Sequence, residues 1–485
     1  MKPLHRSDRS LRHTFCRRWA LCVLAALSMT AHALPPAGGG KMPIEAPTDS
    51  MSTEQRDAIA RQIDTNLERL EASGRLPEAR AGAVSFQWPL AAGNELNDAG
   101  YHGISNFVDQ NPSAPNALLD YNCGARTYDL SSGYNHRGID FFTWPFGWQK
   151  MDDDEVSIVA AAPGVIALKS DDNFDRQCTF NSSPWNAVYV RHADNSITWY
   201  GHMKAGSLTA KDVGDSVSAG EVLGVVGSSG SSTGPHLHME TYDGDGNLIE
   251  PYAGACNNLN ANSWWSDQRS YYDSALNALT TGFAPPAFPT CPSTNEQPNT
   301  RRVFAPGETI HVAAFYRDQL IDQTTTYTVR YPDGTVILQW THNSNAPHYA
   351  ASYWYWLVQP SSAGPFGTWT FSAEYEGTTT VQEFDVVSAG TDSDSDGVQD
   401  HLDNCMVHAN ASQIDADGDG FGNACDADFN NDGIVNVIDL GTLRTAFFST
   451  NALTDLNADG TVNVVDLGVL RTLFFQPPGP SAYAP

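Results

Sequence analysis

Gly234-Pro235-His236-Leu237-His238-Met239-Glu240 reads as a strand entered through a glycine-proline turn. Side chains alternate across a strand, so His236 and His238 point to one face while Leu237 and Met239 point to the other. One face is apolar and the other offers two imidazoles to a metal. The flanking sequence has the same character. Val156 to Ala162, Val165 to Lys169, Ala187 to His192, Ile197 to His202 and Val222 to Val226 are short β-branched and aromatic runs separated by Gly, Asn and Asp. The spacing predicts an antiparallel β domain over residues 85–290, the first and largest part of a mainly β chain.

Upstream, Asn135-His136-Arg137-Gly138-Ile139-Asp140 sets a histidine and a carboxylate four residues apart. Imidazole and carboxylate ligands without cysteine suit a Zn2+ site that keeps its fourth position for water, whereas structural zinc sites are closed and usually built from thiolates. Such a centre makes hydroxide available at neutral pH and polarises a carbonyl. It also needs groups to take a proton and to steady a developing oxyanion. His236 shares a face with His238, and His202 ends the run Trp199-Tyr200-Gly201-His202. Read alone, a strand-end histidine such as His202 is more often structural than catalytic.

In order and spacing these residues resemble the lysostaphin-type, or β-lytic, zinc endopeptidases, whose pattern is H-x3-D, a strand-borne histidine, then H-x-H. The resemblance runs from near Phe86 to about Tyr272 and includes the glycine-rich approach Gly220-Glu221-Val222-Leu223-Gly224 and Gly227 to Gly234. It implies that His136, Asp140 and His238 bind zinc, and that His202 and His236 contact the water and the tetrahedral intermediate. It further implies hydrolysis of peptide bonds in bacterial peptidoglycan cross-links, with cleavage of Gly-rich extracellular proteins as the neighbouring activity. A different class of reading is a non-catalytic binding or scaffold protein with a vestigial zinc site.

Residues 1–33 combine a basic start, an apolar run from Trp19 to about Met29 and the small-residue site Ala31-His32-Ala33, the pattern of a secretory signal peptide. No later run approaches the ~18 apolar residues of a membrane helix, so a secreted chain without a membrane anchor is expected. Within 34–84, Ile59, Ile63, Leu67 and Leu70 recur at helical spacing, and Ser52 with Gln55 forms a capping box. This amphipathic helix belongs either to a pro-segment or to a docked N-terminal element. Beyond the leader stand Cys123, Cys178, Cys256, Cys291, Cys405 and Cys425. An even number in an exported chain reads as disulfides, with Cys405 paired to Cys425 and three connectivities open to the other four. The polar insertion Asp171 to Trp185 carries Cys178 and reads as a wall of the cleft or a pinned surface loop.

Residues 291–389 hold evenly spaced strand patterns that suggest an immunoglobulin-like β-sandwich. Its run Tyr353-Trp354-Tyr355-Trp356 supplies either a buried face or a ligand platform. The net charge of −29 is concentrated further on, where residues 392–466 contain fifteen Asp, no Glu or Lys, and one Arg. That distribution speaks for cation binding and against a nucleic-acid partner. Over 390–427, Asp392, Asp394 and Asp396, and again Asp415, Asp417 and Asp419, alternate around a turn glycine, the way a chain wraps a hard cation such as Ca2+. This segment resembles thrombospondin type 3 repeats. Over 428–476 two copies follow at a 27-residue offset: Asp428, Asn430, Asp432, Asn436 and Asp439, then Asp455, Asn457, Asp459, Asn463 and Asp466. Each copy continues into an apolar helical pattern. With Asp rather than Glu at the twelfth loop position, the pair resembles dockerin, which implies calcium binding and a cohesin-like partner. A calcium-stabilised terminal cap is the equal alternative.

Overall fold

The computed structural model describes residues 32–42, 50–77, 84–93, 96–362 and 364–483; most of the leader expected over 1–33 lies outside them. The described chain opens with two short strands, β1 (His32–Ala33) and β2 (Gly38–Lys41), followed by helix α1 (Thr53–Ala72). Ser52 caps α1 by accepting from the Gln55 amide, and the Gln55 side chain accepts from the Ser52 amide in return. The apolar stripe of α1 packs Ile63, with Ile59 and Leu67 beside it, on Leu168, Trp185, Tyr189 and Trp199.

Those partners belong to the region expected to form an antiparallel domain. It contains β3 (Leu90–Ala92), β4 (His102–Asn106), β5 (Ile139–Thr143), the short helix α2 (Gly147–Asp152), β6 (Val156–Val159), β7 (Gly164–Ser170), β8 (Ala187–Arg191), β9 (Ile197–Gly201), β10 (Ser216–Val217), β11 (Val222–Val225), β12 (His236–Tyr242) and β13 (Leu248–Ile249). Seven of these strands form one sheet in the order β10-β7-β8-β9-β12-β5-β4, with β13 on β12; β11-β6-β3 forms a second sheet. Leu237 and Met239 of β12 enter the core between the two sheets with Phe107, Ile139, Phe141, Ile158 and Tyr200. The opposite face of β12 is therefore the one that carries the histidines.

A β-sandwich follows, made of β14 (Ala275–Gly282), β15 (Val303–Phe304), β16 (Ile310–Leu320), β17 (Thr324–Arg330), β18 (Val336–Asn343), β19 (His348–Val358), β20 (Gly367–Tyr375) and β21 (Thr378–Val386). Its sheets are β14-β16-β19-β2 and β1-β18-β17-β20-β21-β15, so the N-terminal strands complete both edges. β14 lies before residue 291, where composition places the start of this module. Its sequence ALNALTTG lacks the alternation that marks the later strands, and only its pairing with β16 shows where it belongs. Trp354 and Trp356 are buried in the sandwich core beside Trp340 and Trp369. Tyr353 and Tyr355 pack on the other side, against a cluster of Met42, Phe142, Trp144 and Phe315 that joins the sandwich to the first domain. The aromatic run thus works on both faces of β19 as packing.

The tail folds around helices α3 (Val437–Thr445) and α4 (Val464–Leu473), which share a small core of Val435, Leu443, Leu456, Val462 and Leu470. Asn436 and Asn463 cap these helices, and Asp439 and Asp466 close the capping boxes. The six cysteines pair as Cys123–Cys256, Cys178–Cys291 and Cys405–Cys425. Among the described residues no helix is long and apolar enough to cross a membrane.

Candidate metal centre and active site

Strand pairing builds the centre. β12 runs antiparallel to β5 with His238 opposite Asp140, and to β9 with His238 opposite Gly201. His136 enters from the loop before β5, its amide bonded to the Tyr128 carbonyl at 3.1 Å and its ring stacked on Tyr128 at 4.5 Å between centroids. Two glycines make room for the rings. A Cβ on Gly138 would lie 2.6 Å from His238 Nε2, and one on Gly201 would lie 2.2 Å from the Trp185 ring.

His136 Nε2, Asp140 Oδ1 and His238 Nδ1 form a triangle with sides of 3.1, 3.0 and 3.3 Å. Tetrahedral zinc with bonds of ~2.0–2.1 Å requires ligand atoms about 3.3 Å apart, so the donor set and its spacing fit that ion. Each ligand is oriented from behind. His136 Nδ1 donates to the Phe107 carbonyl at 2.8 Å, which makes Nε2 the metal-facing nitrogen. His238 has the opposite tautomer, with Nε2 donating to Glu240 Oε2 at 3.1 Å. Asp140 Oδ2 accepts from Asn106 Nδ2 at 3.0 Å. Burial would raise the Asp140 carboxyl, but the surrounding imidazoles, His136 above all, overrule it and hold the group well below the usual carboxylate range.

His202 and His236 lie beside this triangle with ring centroids 4.4 Å apart. His202 Nδ1 donates to the Ser229 carbonyl at 2.6 Å and His236 Nδ1 to the Gly234 carbonyl at 2.8 Å. In a neutral ring so held, Nε2 is the basic nitrogen. His236 Nε2 stands 3.7 Å from Asp140 Oδ1. His202 takes φ +63°, a left-handed conformation that a non-glycine residue adopts at a cost of about 1–3 kcal/mol and that recurs where function holds it in place. The structure therefore brings all five sequence-derived residues to one place. It adds Asn106, Glu240 and the carbonyls of Phe107, Ser229 and Gly234. Glu240 was open to sequence reading, two positions beyond His238 on the same strand face; the carbonyls carry no sequence signal.

Glu240 is itself buried and tied to distant chain. The Arg56 guanidinium of α1 and the Tyr242 hydroxyl bond to Oε1, and Arg137 Nε lies 3.6 Å away. Burial opposes ionisation of Glu240, yet Arg56 and the His238 hydrogen bond hold its carboxyl well below the ordinary range. Trp185, at the end of the Asp171–Trp185 insertion, stands edge-on to His202 at 5.0 Å, and so this segment walls the centre.

The acidic tail repeats one device four times. The first Asp of each loop accepts the amide of the turn glycine: Asp392 from Gly397 at 3.1 Å, Asp415 from Gly420 at 3.0 Å, Asp428 from Gly433 at 2.6 Å and Asp455 from Gly460 at 2.7 Å. Carboxylate oxygens of Asp392, Asp394 and Asp396, and those of Asp415, Asp417 and Asp419, lie within 4.8 Å of one another. In the later loops Asn430 and Asn457 donate to Asp432 and Asp459 at 2.9 Å, while Asp439 and Asp466 serve as caps. Burial together with carboxylate neighbours pushes Asp419 up to about 7 and Asp426 up to about 8. Asp426 was absent from the sequence-derived ligand set.

Two imidazoles and a carboxylate converge on an antiparallel sheet as a candidate metal centre, with two further histidines alongside. The family model of peptidase family M23 matches residues 134–251 of this chain. The model of the thrombospondin type 3 repeat matches residues 390–413 and 414–440. Over 105 residues the chain is 39% identical to the DD-carboxypeptidase/endopeptidase Mpg of Neisseria meningitidis serogroup B, a match covering 22% of this chain and 19% of that protein. It is 33% identical over 105 residues to the peptidoglycan DD-endopeptidase ShyC of Vibrio cholerae, again 22% and 19% of the two chains. The chain thus spans about a fifth of the length of the curated relatives it matches. Among solved structures it is similar to the catalytic domain of the antimicrobial peptidase lysostaphin from Staphylococcus simulans, with 27% identity, 26% of this chain and 83% of that chain covered, and a TM-score of 0.19.

Proposed function

We propose that the protein is a secreted zinc endopeptidase that hydrolyses peptide bonds in the cross-links of bacterial peptidoglycan. The observation that carries this reading is the triangle of His136, Asp140 and His238, whose ligand atoms stand 3.0–3.3 Å apart with His202 and His236 beside it. The substrate class draws on the relatives named for peptidoglycan and DD-endopeptidase activity, and secretion on the basic, apolar leader.

Zinc bound there supplies Lewis acidity to a carbonyl oxygen and acidity to water. The rest is done by side chains. His136 and His238 are held in opposite tautomers by Phe107 and Glu240, so each presents one fixed nitrogen. His202 and His236 present Nε2 as proton acceptors, and once protonated they donate to a developing oxyanion or to the departing amine. Calcium in the acidic loops would offset the carboxylates that Asp392, Asp394 and Asp396, and Asp415, Asp417 and Asp419, bring within 4.8 Å of one another. The dockerin-like pair leaves Val437 and Val464 exposed at matching positions, 70% and 72%, which supports a role in docking a cohesin-like partner.

The test is mass analysis of fragments released from defined peptidoglycan, with pentaglycine and elastin-like peptides in parallel. The reading expects cross-link peptides cut at one bond type and activity abolished by a chelator. Preferential cutting of the Gly-rich proteins would move the substrate to extracellular matrix.

A further inference from the structure

His136, Asp140, His202, His236 and His238 are all at most 1% exposed, so no peptide reaches the centre while its present cover stays in place. Part of that cover is α1. His236, His238, Glu240 and Tyr242 share one face of β12, and the helix lies along this same side of the sheet with Ile63 on Tyr189 and Trp199. The helix fills its seat incompletely. A cavity of about 210 Å³ runs along one flank and reaches His202 and Trp185. A second, of about 1060 Å³, runs along the other and is bordered by Arg56, Arg137, Trp199 and Tyr242. The helix thus lies over the face that carries the candidate metal ligands with an open cleft along each flank, the placement of an occupant of a surface groove.

Arg56 shows what the groove holds. It reaches Glu240 through Nη1 alone, with the Tyr242 hydroxyl 3.5 Å from the same nitrogen and the Tyr134 ring 5.8 Å from Cζ. Nη2 is buried without a hydrogen-bond partner among the described residues. Guanidinium is the cation of choice where a planar, bidentate fork is matched, and here the fork is half used. A buried carboxylate, a phenol and an aromatic face that engage one nitrogen suit a single ammonium. Arg137, 3.6 Å from Glu240, remains beside the carboxylate when Arg56 leaves.

Resting on the peptidase reading of this centre, we propose that α1 is an internal stand-in for the substrate, and that the pocket filled by Arg56 takes a cationic amino group of the incoming peptide. The enzyme is latent with α1 seated and selects peptides bearing a free side-chain amine near the scissile bond.

The full-length zinc-loaded protein is tested with two synthetic stem peptides that carry a diamino acid and differ only in whether its side-chain amine is free or acetylated. Hydrogen–deuterium exchange over residues 53–72 should rise with the free-amine peptide and stay unchanged with the acetylated one. This readout needs binding only, so it is independent of whether the bond is cut. Ile63→Glu, which puts a charge under the helix, should raise kcat/KM on the free-amine peptide about tenfold or more and keep a preference of about tenfold over the acetylated peptide. Arg56→Met, which leaves the apolar seat intact, should show the same preference with a smaller gain. Unchanged exchange under a peptide that is cleaved, or equal cleavage of both peptides, overturns the proposal. So does loss of activity together with a lowered melting temperature in both variants, which would make α1 part of the folded core. Failure of wild type and variants alike to act on purified peptidoglycan, with exchange responding as expected, would instead overturn the peptidase reading.

Discussion

His238 has both ring nitrogens committed, Nδ1 toward Asp140 Oδ1 at 3.0 Å and Nε2 toward Glu240 Oε2 at 3.1 Å. Glu240→Gln keeps the shape and weakens the acceptor, and outer-shell partners of this kind are worth about 10–100-fold in metal affinity. Zinc affinity measured by chelator competition should fall within that range; an unchanged affinity would mean that Glu240 does not orient the ligand. His202→Gln should lower kcat by ~10²–10⁴ at unchanged zinc content, the loss expected when a proton-transfer group goes and the metal stays. A variant that loses zinc as well would place His202 among the ligands. At this scale sequence was informative wherever chemistry lies in a side chain on a regular element. The alternation of β12 alone puts His236 and His238 on one face. What faces them from other chain segments, such as Asn106 of β4 and Arg56 of α1, depends on pairing across 34 and 184 residues of separation, which periodicity does not encode.

Between elements, register sets the centre: His238 lies opposite Asp140 because β12 and β5 pair antiparallel at that offset, and a one-residue slip of β12 would turn both of its imidazoles into the core. β5 shows in the sequence only as a ligand spacing, since Ile139-Asp140-Phe141-Phe142 is buried on both faces and shows no alternation. The turn that follows β13 carries Glu250, which is fully buried and accepts the amides of Val108 at 3.1 Å and Tyr252 at 2.9 Å. Burial raises its carboxyl from 4.5 to about 8 despite those bonds. The folded state therefore holds this proton over a range where the unfolded chain has released it. The contribution to stability is complete below about 4.5 and is lost as pH rises toward about 8. Glu250→Gln keeps an acceptor for only one of the two amides and should lower the melting temperature, less at pH 8 than at pH 5. A shift equal at both values would show that Glu250 titrates normally.

Across the whole molecule, the N-terminal strand β2 pairs with β19 at the edge of a sandwich sheet, so chain from either side of the first domain joins one unit. The modules were legible in composition, and their joints were not. β14 crosses the expected boundary, and the cluster of Met42, Phe142, Trp144 and Phe315 exists only once the domains are folded together. In the tail, four loops share the same Asp-to-glycine bond and crowd carboxylates together. Calcium should protect residues 390–476 from limited proteolysis in the full-length protein, and chelation should open cleavage there first. Equal digestion with and without calcium would remove the ion from the account.

The most direct measurement is zinc per chain, determined by elemental analysis of the purified protein and of His238→Ala, alongside peptide release from peptidoglycan by the same preparations. The account predicts one zinc in the wild type, loss of both metal and release in the variant, and recovery of release when chelated wild type is given zinc back. A wild-type protein that stays without zinc under saturating ion, or a metal-free variant that still cuts the wall, would contradict it.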